Sequence, residues 1–245
     1  MKLIRNLSLA VLLMWCVDAC LSPPDYPITP QISYSDIYYS KPVTQGSLDS
    51  IVLSVNFTDG DGDLGLDDSY IKDTTFAFQL YYFNGQGSIL NYKIKRLNPN
   101  IAVDGKKLPD FVTPFNCTNW EVKKDSKGVV TDTVYTKYNP NYYNIFIDFF
   151  TKNTDGTFTK FDPSTYFEYP NCSVQGYNGR FPVLSKDPNK KSPLDGKINY
   201  SMKSFAFDAL FSIRTLKLQI TIQDRALHKS NTIETPEFTL QSIRK

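Results

Sequence analysis

The chain has 245 residues, 41% hydrophobic and 14% aromatic, enough for one sizeable core. Lys and Arg number 27 against 25 Asp and Glu, a formal charge of +2. So balanced a surface exerts no long-range pull on nucleic acid or acidic lipid, which argues against nucleic-acid binding.

The first nineteen residues read as a targeting segment. Lys2 and Arg5 precede "LSLAVLLMWCV", an apolar run of about eleven residues, where a membrane-spanning helix needs about twenty. The run ends in "VDAC", with small Ala19 directly before Cys20. This resembles the lipobox of bacterial lipoproteins, and the resemblance implies cleavage before Cys20 and a lipidated, palmitate-bearing N-terminus. An ordinary cleaved signal or an uncleaved anchor is the alternative. Loss of residues 1–19 removes Lys2, Arg5 and Asp18, leaving 25 basic and 24 acidic side chains. Residues 20–30 then form a tether, because prolines at 23, 24, 27 and 30 favour extended chain. At about 3.1 Å per residue this segment spans roughly 30 Å.

From residue 31 to 245 the dominant period is two. In "IVLSVNF", Ile51, Leu53, Val55 and Phe57 share one face. "FAFQLYY" places Phe76, Phe78, Leu80 and Tyr82 together, and "NIFIDFF" and "LKLQITI" repeat the alternation. Such segments predict strands with one face in a core. Asn84-Gly85, Lys127-Gly128 and Asp155-Gly156 fall between strand-like runs and predict hairpin turns. No sustained helical period follows the targeting segment. The expectation is all-β, one elaborated antiparallel β-sandwich. Two insertions interrupt it, at about 97–116 and 162–203, both long and rich in Pro, Gly and Asn. Cys117 and Cys172 lie beside and within them. They are either two buried thiols or a disulfide closing a loop of about 55 residues, worth on the order of 4 kcal/mol.

The most specific local signal is "FTDGDGDLGLDD". Asp59, Asp61 and Asp63 alternate with Gly60 and Gly62. In an extended strand, carboxylates at i and i+2 start about 6.6 Å apart. A shared Ca²⁺ needs oxygens about 2.3–2.6 Å from the ion, so the chain must curl, as glycine permits. The spacing matches the start of an EF-hand loop but not its continuation. Leu64 stands where the turn glycine belongs and Tyr70 where the bidentate glutamate belongs. The stretch is therefore a calcium site of another kind or a solvated turn. Asp67 or Asp68 would complete such a site, with Asp224 and Asn231 offered by "DRALHKSN" between the last two strands. Zinc is disfavoured, since His228 is the only histidine.

Nothing points to an enzyme. His228 lacks a Gly-x-Ser-x-Gly elbow or similar device, and no glycine loop cradles phosphate. The paired tyrosines Tyr38-Tyr39, Tyr81-Tyr82 and Tyr142-Tyr143 would each turn one ring outward in a strand, offering a surface for a glycan or a protein partner.

Taken together, the lipobox, the Pro-rich tether, "FTDGDGDLGL", "NGRFP" and the closing "LQITIQDRALHKSNTIETPEFTL" resemble cell-envelope lipoproteins of Bacteroidota. The resemblance implies an immunoglobulin-like β-sandwich held to the outer membrane through Cys20, on either the periplasmic or the surface face. It implies no defined activity. The expected role is protein interaction or assembly in the envelope, without catalysis, with glycan-binding in nutrient uptake as the alternative.

Overall fold

The computed structural model describes residues 24–41, 47–103, 105–107, 120–162, 176–187, 190–204 and 206–245. The targeting segment, Cys20, Cys117 and Cys172 lie outside the described residues. In chain order the strands of the body are β1 (Gln31–Ser40) and β2 (Asp49–Asp59). An inserted unit follows: β3 (Gln79–Tyr81), α1 (Tyr92–Leu97), β4 (Ala102–Val103), β5 (Lys106–Lys107), β6 (Trp120–Lys124) and β7 (Val130–Tyr138). The body resumes with β8 (Ile145–Lys152), β9 (Phe158–Lys160), β10 (Leu194–Ser204), α2 (Phe207–Phe211), β11 (Leu216–Ile222) and β12 (Ile233–Glu234).

One antiparallel sheet has the order β1-β2-β10 and a second β12-β11-β8-β9. Their facing sides share one core. Ile51, Leu53, Val55 and Phe57 of β2 meet Ile145, Ile147 and Phe149 of β8 and Leu216, Leu218, Ile220 and Ile222 of β11. The expected all-β sandwich with period-two strands is therefore what forms. Among the described residues, no helix is long and apolar enough to cross a membrane.

Three elements depart from simple alternation or from the expected bounds. β1 carries a register shift between Tyr34 and Asp36, so Ile32 lies inward on one parity and Ile37 and Tyr39 on the other. The "FAFQLYY" run yields only three strand residues. Asp73 accepts from the Thr75 N–H at 2.8 Å and turns the chain, and buried Asn139 donates to the carbonyls of Thr75 and Ala77 at 2.9 and 2.8 Å. Carbonyls that would need a ladder partner are satisfied without one. Third, the insertion expected to run to residue 203 ends near 193. β10 pairs with β2 along its whole length, from Leu194↔Asp59 to Ser204↔Asp49. Only Ile198 and Met202 of this edge strand are buried, so its polar sequence reads as loop.

The first insertion is likewise larger than 97–116. Residues 60–144 connect β2 to β8 and hold the sheet β3-β7-β6, with Leu90 and Tyr135 buried in a small separate core. The segment around "NGRFP" straps this unit to the sandwich. Gly179 bridges Ile145, while Arg180 donates to the carbonyls of Asp67 at 2.8 Å and Tyr142 at 3.1 Å, one at each root of the insertion. We expect Leu218→Ala, which empties a wholly buried position at the sheet interface, to cost about 2–5 kcal/mol. Urea unfolding checks this, and a change below 1 kcal/mol would place Leu218 outside the core.

Candidate metal centre

Strand β2 delivers the first ligand candidate by simple alternation. Residues 51, 53, 55 and 57 face inward, and Asp59, next in that series, is 0% exposed. The chain then curls between two walls. Gly60 lies so close to the N-terminal segment that a Cβ would sit 2.2 Å from the Tyr26 carbonyl oxygen. Gly62, at φ +69°, would place a Cβ 2.2 Å from the Ser192 carbonyl oxygen. Packing thus requires both glycines, and backbone conformation requires Gly62 as well. Leu64 and Leu66 then plug back into the buried interior.

The curl gathers Asp59, Asp61 and Asp63, with one carboxylate oxygen of each within 4.8 Å of the others. Oxygens on a common Ca²⁺ at about 2.4 Å can be at most about 5 Å apart, so the spacing fits one ion. The hydrogen bonding sorts the oxygens into two sets. Asp61 Oδ2 meets Lys191 Nζ at 3.1 Å, and Asp63 Oδ2 accepts from the Ala226 N–H at 3.1 Å. Asp61 Oδ1, Asp63 Oδ1 and both oxygens of Asp59 are buried without a hydrogen-bond partner. A buried carboxylate in that state either takes a proton or needs a cation. Burial, followed by the charges of Asp63, Asp61 and Asp224, pushes Asp59 up to about 7, with the neighbouring Asp63 backbone N–H opposing. Asp63 is raised by burial and then by Asp224 and Asp61, against the opposing pull of Arg225.

The other expected ligands have other work. Asp67 is exposed and caps the 3₁₀ turn Asp68–Lys72, accepting from the Ser69 hydroxyl at 2.5 Å and the Ser69 N–H at 2.8 Å, which hold its carboxyl below the usual range. Asp224 is buried beside the cluster, but both its oxygens hold His228, through the backbone N–H at 2.7 Å and the ring Nδ1 at 2.8 Å. It is raised by burial, with the His228 contacts opposing, and it raises His228 in turn. Asn231 accepts from the Ile32 N–H and donates to the Ile32 carbonyl, pinning the start of β1. Lys191, Ser192 and the Tyr26–Pro27 carbonyls border the site without any local signature in the sequence.

The tyrosine pairs are largely engaged in packing. Tyr39 is buried and donates to Asp49 at 2.7 Å, and Tyr81 donates to Glu121 at 2.6 Å. Tyr142 packs against Phe78 and Tyr143, each at 5.0 Å between centroids. No protein-family model matches the chain, and no curated protein or solved structure matches it at a significant level.

The unpartnered carboxylates set a signed pH dependence for chelator-treated protein. Asp59 holds its proton more tightly folded than unfolded, where its ordinary value is 3.8. The stability this provides is complete below about pH 4 and is lost as pH rises through about 7. Asp63, Asp224 and His228 are also raised and act in the same direction. We expect thermal unfolding in chelator to show stability falling by a few kcal/mol between about pH 5 and pH 8. A flat or rising profile would contradict a buried, uncompensated Asp59.

Proposed function

We propose that the chain is a lipid-anchored, non-catalytic protein of the cell envelope. In this reading its immunoglobulin-like sandwich is braced by calcium at Asp59, Asp61 and Asp63, and its large insertion meets a protein partner. The observation that carries the calcium assignment is Asp59, wholly buried with both oxygens unpartnered and facing two further carboxylates. An all-oxygen donor set suits calcium, and the sole histidine is committed to Asp224. The strand order β1-β2-β10 against β12-β11-β8-β9 supports the immunoglobulin-like assignment. Carboxylates that converge on an enclosed point, instead of flanking a cleft, support a structural role over hydrolysis. The anchor rests on "VDAC" and the proline tether. For the partner surface, the insertion exposes Phe83, Leu97, Val129 and Val130.

Calcium at a hundred times its dissociation constant adds about 2.7 kcal/mol to a protein whose folded state alone binds it. We expect thermal unfolding of the wild type near pH 8 to show a calcium-dependent gain of this order. Asp59→Asn removes the buried charge, so it should be more stable than wild type in chelator and gain nothing from calcium. Wild type without a calcium response, or a variant that keeps one, would sink the assignment.

The envelope role has its own test. A photo-crosslinking residue at Phe83 or Leu97 should trap one discrete adduct in intact cells, while Cys20→Ala should abolish palmitate incorporation and weaken the adduct. Palmitate retained in Cys20→Ala would overturn the anchor, and uncrosslinked chain alone at both positions would overturn the partner surface.

A further inference from the structure

We propose, resting on the calcium reading above, that the cation site is also a clamp on the N-terminal segment, so that occupancy fixes where the chain leaves the sandwich. The curl that bears the three carboxylates and the loop that bonds Asp63 beside it are the same two that hold the incoming chain. Gly60, between Asp59 and Asp61, donates its N–H to the Pro27 carbonyl at 2.8 Å. Its missing Cβ leaves room for Tyr26 and Pro27 to lie directly on the curl. The loop after β11 places Asp224 beside the site and donates the Ala226 N–H to Asp63. Five residues later the same loop supplies Asn231, which bonds both backbone groups of Ile32 at 2.8 and 2.9 Å.

The energetics couple the two functions. The curl concentrates three carboxylates, and no side chain donates to Asp59 to offset its burial. Without a cation at neutral pH, the loop lowers its free energy by opening toward water, where solvent screens the like charges. Opening moves Gly60 away from Pro27, and the chain ahead of β1 loses the backbone bond that seats it. A bound cation holds Asp61 against Asp59, which β2 already fixes, and so holds Gly60 between them. The segment is then ordered by a ligand it does not touch, through the one residue lying between two ligands. Gly60 is a positioning residue in this scheme.

The test places a genetically encoded fluorescent amino acid at Ile28, which is 57% exposed, and leaves the chain ahead of Pro24 in place. Time-resolved anisotropy reports segment motion, and calorimetry on the same protein reports calcium binding. Wild type should lose the fast depolarising component on adding calcium and regain it with chelator. Gly60→Ala keeps all three carboxylates but forces Tyr26 off the curl, so it should bind calcium and retain the fast component. Calcium heat with unchanged anisotropy in the wild type would overturn the clamp while leaving the cation site standing. Absence of calcium heat in the wild type would overturn the site and the clamp together. Should Gly60→Ala fail to fold, the wild-type titration decides the matter alone.

Discussion

The alternation of β2 is the constraint on which the rest of the structure depends. One face of a strand carries every second residue, and four of these, from Ile51 to Phe57, build the sandwich core against β8 and β11. The fifth in the series is Asp59, so the geometry that buries the hydrophobic residues also buries a carboxylate. Moving Asp59 outward would require a one-residue register change that turns the whole β2 core face to solvent. β2 is fixed from both sides, with β1 paired along one edge and all eleven residues of β10 along the other. The charge therefore stays where the core puts it, and the following loop must deal with it.

Much of the frame was legible in the sequence because it follows from local periodicity and turn chemistry. β2, β8 and β11 show clean alternation with one apolar face, and the turns at Asn84-Gly85, Lys127-Gly128 and Asp155-Gly156 form where expected. β10 was not legible. It is an edge strand with polar residues between its few buried ones, and only its pairing with β2 makes it a strand. The run from Phe76 to Tyr82 erred the other way. Its alternation was adequate, yet Asp73 and Asn139 supply hydrogen bonds that turn the backbone aside.

The site divides along the same line. The Asp-Gly repeat marks a curl, and three of its carboxylates do converge. Which further residues join them depends on contacts with distant chain, 130 residues away for Lys191 and 163 for Ala226, and composition carries no information about those. Asp67 and Asn231 looked equivalent to ligands by residue type. In place, Asp67 satisfies a backbone N–H two residues on, the common use of short polar side chains in loops, while Asn231 reaches across to the backbone of Ile32. Lys191 and Ser192 reach the curl from the second insertion, through Asp61 Oδ2 and the Asp61 carbonyl.

Cations supplied by the chain itself are close to this pole, and their placement sharpens the case for an external one. Arg180 spends its guanidinium on the carbonyls of Asp67 and Tyr142, holding the two roots of the insertion together. Arg225 aims its guanidinium at the carbonyls of Leu64 and Gly65 and lies 5.6 Å from the centre of the Tyr70 ring. Lys191 reaches one oxygen of Asp61 while its side chain stays 82% exposed, and His228 is tied to Asp224. None of them forms a hydrogen bond with Asp59. A guanidinium there would have satisfied the carboxylate with a bidentate pair and closed the loop permanently. With the arginines committed to main-chain carbonyls, what remains for Asp59 is a proton or a cation from solution. Near neutral pH, a carboxyl pushed up to about 7 holds that proton only part of the time.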